Sequence, residues 1–257
     1  MTLEDGRGLH QVLGHLTALL QRHRSGSSYR SERYRRSQIA WMGMGALSEF
    51  ESKQLLATHG IQVSRDKLAH SAEAAVDAAV EIGGSVAVKL CGPALAHKSE
   101  RGLVRLALDS PDGVRSAAED LLALAASDDG EVALLVSEMV EGHRELIAGV
   151  VHTEQFGAAL MLGLGGVLAE AVGEVVFRLL PVSEADCQDM IDDLAVSALL
   201  APLRGEPAVD QDALAATLLG LAQAGCREGI EAIDINPLVI RDGQPVAVDG
   251  LVVMSSP

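Results

Sequence analysis

Apolar positions recur along this chain with two periods, and their alternation sets out the elements. Near the N-terminus Leu9, Val12, Leu13, Leu16, Leu19 and Leu20 fall at helical spacing and predict a short amphipathic helix. The Arg/Ser-rich run Arg22–Arg36 after it reads as a mobile tether, with docking to an acidic partner or to RNA as the alternative. Ser48-Glu49-Phe50-Glu51 is a capping-box pattern opening a helix whose apolar face is Phe50, Leu55 and Leu56 and whose stop is Gly60. Ile61–Val63 predicts a short strand. Ser71 caps a second helix with Ala74, Ala75, Ala78, Ala79 and Ile82 inward, and Val86–Leu90 follows as a strand. Ser110-Pro111 starts a helix running to about Ser127, with proline at its first turn. Val132–Val136 is a continuous apolar run, the mark of a central strand. Glu145–Val151 and Phe156–Leu162 form a strand pair. Residues 183–228 are helical, with Ser183 capping the first helix, a break at Leu203–Pro207, and a long Ala/Leu helix from Asp210 to near Gly225.

The stretch after that helix carries the most chemistry. Glu231–Ile240 and Val246–Asp249 read as two strands joined by an Asp-Gly turn. Period-2 alternation sends Ile233 and Ile235 to one face and Asp234 and Asn236 to the other, and the second strand ends on Asp249. Asn236 and Asp249 are thus hard oxygen donors brought together across a hairpin. Mg²⁺ takes such ligands, one or two from protein and the rest from phosphates and water. An ordinary surface hairpin, with Asn-Pro opening a turn, is the other reading.

Composition narrows the classes. At 257 residues, 48% hydrophobic and 2% aromatic, the chain can bury a large core of Ala, Val, Leu and Ile. A net charge of −16 argues against a nucleic-acid partner or an anionic membrane surface. Residues 1–45 hold seven arginines against three acids, leaving thirteen bases against thirty-three acids in the remainder. A body so acidic must gather its few cations locally, or recruit a metal, to hold an anion. Cys91, Cys187 and Cys226 are odd in number and widely spaced, which gives no disulfide or zinc pattern. No apolar run is long enough for a bilayer and no signal-peptide core is present, so a cytoplasmic protein is expected.

Several side chains sit where chemistry needs them. Lys89 interrupts an apolar strand; it either meets an anion or reaches water from the strand edge. His97, in Ala96-His97-Lys98-Ser99-Glu100, is an imidazole in a polar loop. Gly163-Leu164-Gly165-Gly166 is a glycine turn whose amides can converge on an anion, although the spacing alone is unspecific. Glu145 and Arg178 lie on strands, where an outward carboxylate and a structural ion pair are the plain readings.

In order, Lys89, His97–Glu100, the segment at Glu138, Gly163–Gly166, Arg178, Arg204-Gly205 and Asn236-Pro237 with Asp249 resemble the nucleotide-binding β subunits of ADP-forming acyl-CoA synthetases and succinyl-CoA synthetases, over residues 46–255. The resemblance implies an α+β ATP-grasp fold, two lobes with the nucleotide between them. It implies a division into an N-terminal helix and tether (1–45), a first lobe (46–136) and a second lobe (137–257). Lys89, Gly165, Gly166 and Arg178 would meet phosphate, the backbone at Glu138 and Val140 the adenine edge, and Glu145 the nucleotide. Asn236 and Asp249 would hold Mg²⁺ with ATP or ADP, and His97 would relay a phosphoryl group. A CoA-binding α-type subunit would be needed as partner. Arg101, Leu103, Thr153 and Ala232 depart from the family pattern, and the alternative they raise is a degenerate regulatory or scaffold subunit that only binds nucleotide.

Overall fold

The computed structural model describes residues 45–92, 95, 101–153, 156–166, 175–194 and 197–255. His97 and the N-terminal helix and tether read from the sequence lie outside these residues.

Two antiparallel sheets organise the chain. The smaller has the order β1 (Asp66–Ala69), β4 (Ala133–Glu138), β2 (Val86–Cys91), β3 (Val104–Leu108). Helices α2 (Ala72–Ile82) and α3 (Pro111–Ala123) cover one of its faces. Both start on caps the sequence announces: Ser71 accepts from Ala74 N–H, and Ser110 accepts from Gly113 N–H with Pro111 in the first turn. Val86, Val88 and Leu90 alternate inward to Ala75, Ala118 and Leu121 in a continuous core, so Ala87, Lys89 and Cys91 occupy the opposite face.

The larger sheet runs β10 (Gly250–Met254), β8 (Ile230–Arg241), β5 (Arg144–Thr153), β6 (Gly157–Leu164), β7 (Val175–Leu179), with β9 (Gln244–Ala247) also on β8. Helices α4 (Glu184–Asp192) and α6 (Gln211–Gly225), separated by the single turn α5 (Ser197–Leu200), back this sheet. Ser183 and Asp210 cap α4 and α6 as the sequence predicts.

Helix α1 (Glu49–Thr58) follows the Ser48–Glu51 capping box and reaches its stop at Gly60, φ 77°. Its location differs from the division drawn at residue 46. Leu56 and Ile61 enter the larger lobe's core, Leu47 N–H donates to Val252 O, and Ser64 N–H donates to Ala247 O. Residues 46–64 therefore belong with the larger sheet, and the smaller lobe is inserted between them and β5. A helix's own pattern fixes how much of it is buried, not which sheet buries it.

The predicted hairpin is present, with a change that matters. Asp242 and Gly243 both take positive φ, 52° and 84°, the primed two-residue arrangement. The second strand closes at Ala247, and a third strand, β10, returns along the same edge of β8. β9 pairs with Leu238–Arg241 and β10 with Ile230–Ile235, so the chain must turn from one to the other beside Asn236-Pro237. That turn carries Asp249. Opposite, on β5, Leu146 pairs with Leu238 but Ala148 pairs with Ile235, which leaves Asn236 and Pro237 facing Ile147 alone. This bulge resets the side-chain parity, so Ile233, Ile235, Leu238 and Ile240 all enter the helix-backed core.

Candidate functional site

Asp249 sits where three strands adjust to one another. Asn236 N–H approaches Asp249 O at 3.4 Å and Val248 N–H donates to Pro237 O at 3.1 Å, so Asn236 and Asp249 are backbone neighbours across the bulge. From the other lobe, Lys89 Nζ reaches Asp249 Oδ2 at 3.3 Å and Glu49 Oε1 at 2.6 Å. Burial opposes the charge on Lys89, but Asp249 and Glu49 outweigh it and hold the ammonium well above its ordinary pKa. The lysine's strand position thus has its reason: it is the cation of a buried ionic cluster, not a snorkelling edge residue.

The cluster extends further than the sequence reading reached. Lys53 Nζ contacts Asp66 Oδ2 at 2.6 Å, Glu49 Oε1 at 3.5 Å, Ser64 Oγ at 3.0 Å and Val248 O at 2.9 Å. The order Asp66–Lys53–Glu49–Lys89–Asp249 alternates sign and crosses between the lobes. Glu49, Ser52, Lys53 and Leu56 form the buried face of α1; of the expected Phe50, Leu55 and Leu56, Leu56 is fully buried and Leu55 packs partly buried against the core, while Phe50 is only half-buried. A signal was available: Glu49, Lys53 and Leu56 stand at i, i+4 and i+7, so burying Leu56 drags two charges inward.

Other predicted residues distribute as follows. Glu145 lies on the larger sheet's face opposite the helix-backed core, since Leu146, Ala148 and Val150 enter that core. Gly165 N–H donates to Glu145 O at 2.8 Å, and a Cβ on Gly166 (φ 61°) would come within 2.9 Å of Glu145 Oε2. The glycine turn and Glu145 are therefore one unit. Burial raises the Glu145 pKa. Glu138, at the end of β4, is held by Arg65 (3.1 Å) and Arg241 (2.8 Å). Burial opposes its ionisation, yet the Arg65 hydrogen bonds and both guanidinium charges hold its carboxyl below the usual range. Val140, two residues on, makes no backbone hydrogen bond to the described residues.

Arg178 stands apart. It pairs across β6 with Leu160, which is in the helix-backed core, and it binds Asp193 at the end of α4. Its guanidinium therefore faces α4 and not the side of Glu145 and the glycine turn, which is the structural-ion-pair alternative. The departures also acquire roles. Arg101 makes a two-armed pair with Asp129 (2.6 and 2.9 Å), Leu103 is a core residue of the smaller lobe, Thr153 caps the β5–β6 turn, and Ala232 is buried within β8.

A divalent ion fits the corner by its donors. Asp249 is a carboxylate already facing a cation and 39% exposed, and Asn236, an amide residue, is its backbone neighbour. Among the described residues no group of three or more His, Cys, Asp and Glu forms a complete metal cage, so an ion here needs ligands from a bound phosphate and water. No helix among them is long and apolar enough to cross a membrane.

Two helix-backed sheets meeting along a line of opposite charges make a two-lobed gripping domain. A family profile described as "ATP-grasp domain" matches residues 39–254, and the chain belongs to the ATP-grasp family. It is 34% identical over 224 residues to the Acetate–CoA ligase [ADP-forming] II subunit beta of Pyrococcus furiosus, covering 84% of this chain and 95% of that one. Among solved structures it resembles the dinucleotide forming Acetyl-coenzyme A synthetase 1 of Ca. Korarchaeum cryptofilum in complex with coenzyme A, Ca-AMPCP and HgCl+ (32% identity, TM-score 0.76, 88% of this chain and 100% of that one). It also resembles that protein in complex with coenzyme A and Mg-AMPPCP, with its phosphohistidine segment pointing towards the nucleotide binding site (33%, TM-score 0.69, 80% and 92%).

Proposed function

We propose that this chain is the nucleotide-binding subunit of an ADP-forming acyl-CoA synthetase, an acid–thiol ligase that works with a CoA-binding partner subunit. The observation that carries the reading is the meeting of Lys89 with Asp249, beside Asn236, where the two lobes touch. ATP or ADP lies between the sheets, with the adenine edge on the backbone at Glu138 and Val140 and with Glu145 accepting from hydroxyl groups, since a carboxylate repels phosphate. Lys89 and the amide of Gly166 receive phosphate oxygens, whereas the Gly165 amide expected to do so is taken by Glu145 O. Asn236 and Asp249 hold Mg²⁺, which when bound neutralises phosphate charge. His97 takes the phosphoryl group: the bond from the γ-phosphorus to its bridging oxygen breaks as a bond to the imidazole nitrogen forms, leaving ADP. In reverse, an acyl phosphate generated at the partner's CoA site yields its phosphoryl group towards His97 and leaves as the free acid, and the phosphorylated imidazole passes the group to ADP to make ATP. Arg178 has no part in this scheme.

Co-expression with a CoA-binding subunit, followed by ³²P labelling from γ-labelled ATP, tests the proposal. Labelled histidine and CoA-dependent ATP formation are expected, with labelling lost in His97→Ala. Full turnover in that variant would remove His97 from the mechanism. Failure of the wild-type chain to bind ADP in calorimetry at any Mg²⁺ concentration would overturn the reading as a whole.

A further inference from the structure

Five ionisable side chains fill the seam between the lobes, and they are unequal. Glu49 and Lys89 are nearly sealed from water, with side chains 1% and 3% exposed, whereas Asp249 is 39% exposed. Lys89 also sits closer to Glu49 (2.6 Å) than to Asp249 (3.3 Å). A cation arriving from solvent can reach Asp249 and cannot reach Glu49. Once a divalent ion binds Asp249, the carboxylate's charge is spent on that ion, and the Lys89 ammonium is left buried beside a doubly charged neighbour. Until a phosphate reaches Lys89, a buried cation in that position is strongly disfavoured without another anion in contact. Glu49 supplies that anion.

We propose that Glu49 is a positioning residue for the metal corner: its buried carboxylate holds Lys89 so that Asp249 is released to a divalent cation. In its absence Asp249 would be the sole acid touching Lys89 among the described residues, and the ammonium would compete with the metal for it. Lys53 and Asp66 form the other half of the seam. Lys53 lies between Asp66 (2.6 Å) and Glu49 (3.5 Å), and Asp66 makes its contact there, acting on Lys89 only through space and less than Asp249 or Glu49. Losing Asp66 therefore weakens the seam without freeing the Lys89 charge. The inference rests on Asp249 being a metal ligand, as proposed above.

The test is calorimetric binding of ADP to the whole chain at a series of free Mg²⁺ concentrations, which gives a Mg²⁺ midpoint without any turnover. In Glu49→Gln the midpoint should rise roughly tenfold or more, the effect of removing one charged neighbour within hydrogen-bond reach. Glu49→Asp keeps the charge on a shorter arm, and its midpoint should fall between those of wild type and Glu49→Gln. Asp66→Asn should lower the melting temperature while leaving the midpoint within about twofold, because its direct contact is to Lys53. If Glu49→Gln fails to fold, a Glu49→Asp midpoint above that of Asp66→Asn supports the proposal. A Glu49→Gln midpoint equal to wild type overturns it, and so does an Asp66→Asn shift as large as that of Glu49→Gln. Absence of ADP binding in wild type is a separate result, which removes the nucleotide reading itself.

Discussion

Two ionic joints cross from one sheet to the other, and they are built in opposite ways. At the corner, Lys89 and Lys53 use ammonium groups, buried and shared among Glu49, Asp66 and Asp249. At the linker, Glu138 takes guanidinium groups from Arg65 and Arg241, whose side chains are 60% and 31% exposed. A guanidinium is weakly hydrated and suits a lasting fork-like grip on a carboxylate; an ammonium is a point charge that can change partners. The exposed joint is therefore a fixed fork near the connection, while the buried joint shares its charges among several partners. Such a difference shows why counting ion pairs between lobes says little until their burial and donor type are known.

Mutations can break this contrast in order of size. Lys89→Met leaves Glu49 buried without its nearest cation among the described residues; loss of about 3–5 kcal/mol in urea unfolding is expected, together with loss of ADP binding. An effect as small as that of an exposed pair would erase the distinction between the joints. Gly166→Ala places a methyl group against the Glu145 carboxylate at a left-handed φ of 61°, and about 1–2 kcal/mol of stability should be lost with weaker ADP affinity. Glu138→Gln, at the exposed joint, should cost about 1 kcal/mol or less, shrinking further in high salt, with the Mg²⁺ midpoint unchanged.

A third ionic contact, Arg101 with Asp129, stays inside the smaller lobe and sharpens the picture by its pH dependence. Hydrogen bonds from Arg101 first, and from Ala126 N–H second, hold the Asp129 carboxyl at about 2, down from 3.8. The unfolded chain binds that proton more readily, so the contribution is complete above the ordinary value and fades as pH falls from about 4 towards 2. The stability gap between wild type and Arg101→Gln should be constant at neutral pH and close over that acid window, as followed by circular dichroism.

Much of the architecture was legible because local chemistry announced it. Ser48, Ser71, Ser110, Ser183 and Asp210 each cap a helix, and the Asp242-Gly243 turn is where the hairpin expects it. Three strands escaped the reading. Asp66–Ala69 is four residues with two charges, and Val104–Leu108 is only partly buried; each exists through pairing with distant partners. Gly250–Met254 escaped because Asp249-Gly250 reads as an end and not as a corner. At the site, Lys89 and Asp249 were legible through the cost of burying charge and through hairpin geometry. Glu49 and Lys53 were missed although their spacing from Leu56 carried the signal, and Asp66 was missed because a charged residue opening a four-residue strand normally faces water. Arg178 looked equivalent on either face of its strand until Asp193 fixed its side.

The insertion of one lobe within the other has a consequence for biosynthesis. The segment from Asp66 to Glu138 leaves the ribosome as an uninterrupted stretch holding its own apolar centre. The opening helix, by contrast, waits for β10, where Leu47 N–H donates to Val252 O and Met254 N–H donates to Gly45 O. Until that strand emerges Glu49 and Lys53 remain hydrated, and nascent chains stalled before Asp249 should hold an unfinished outer half around a finished inner one.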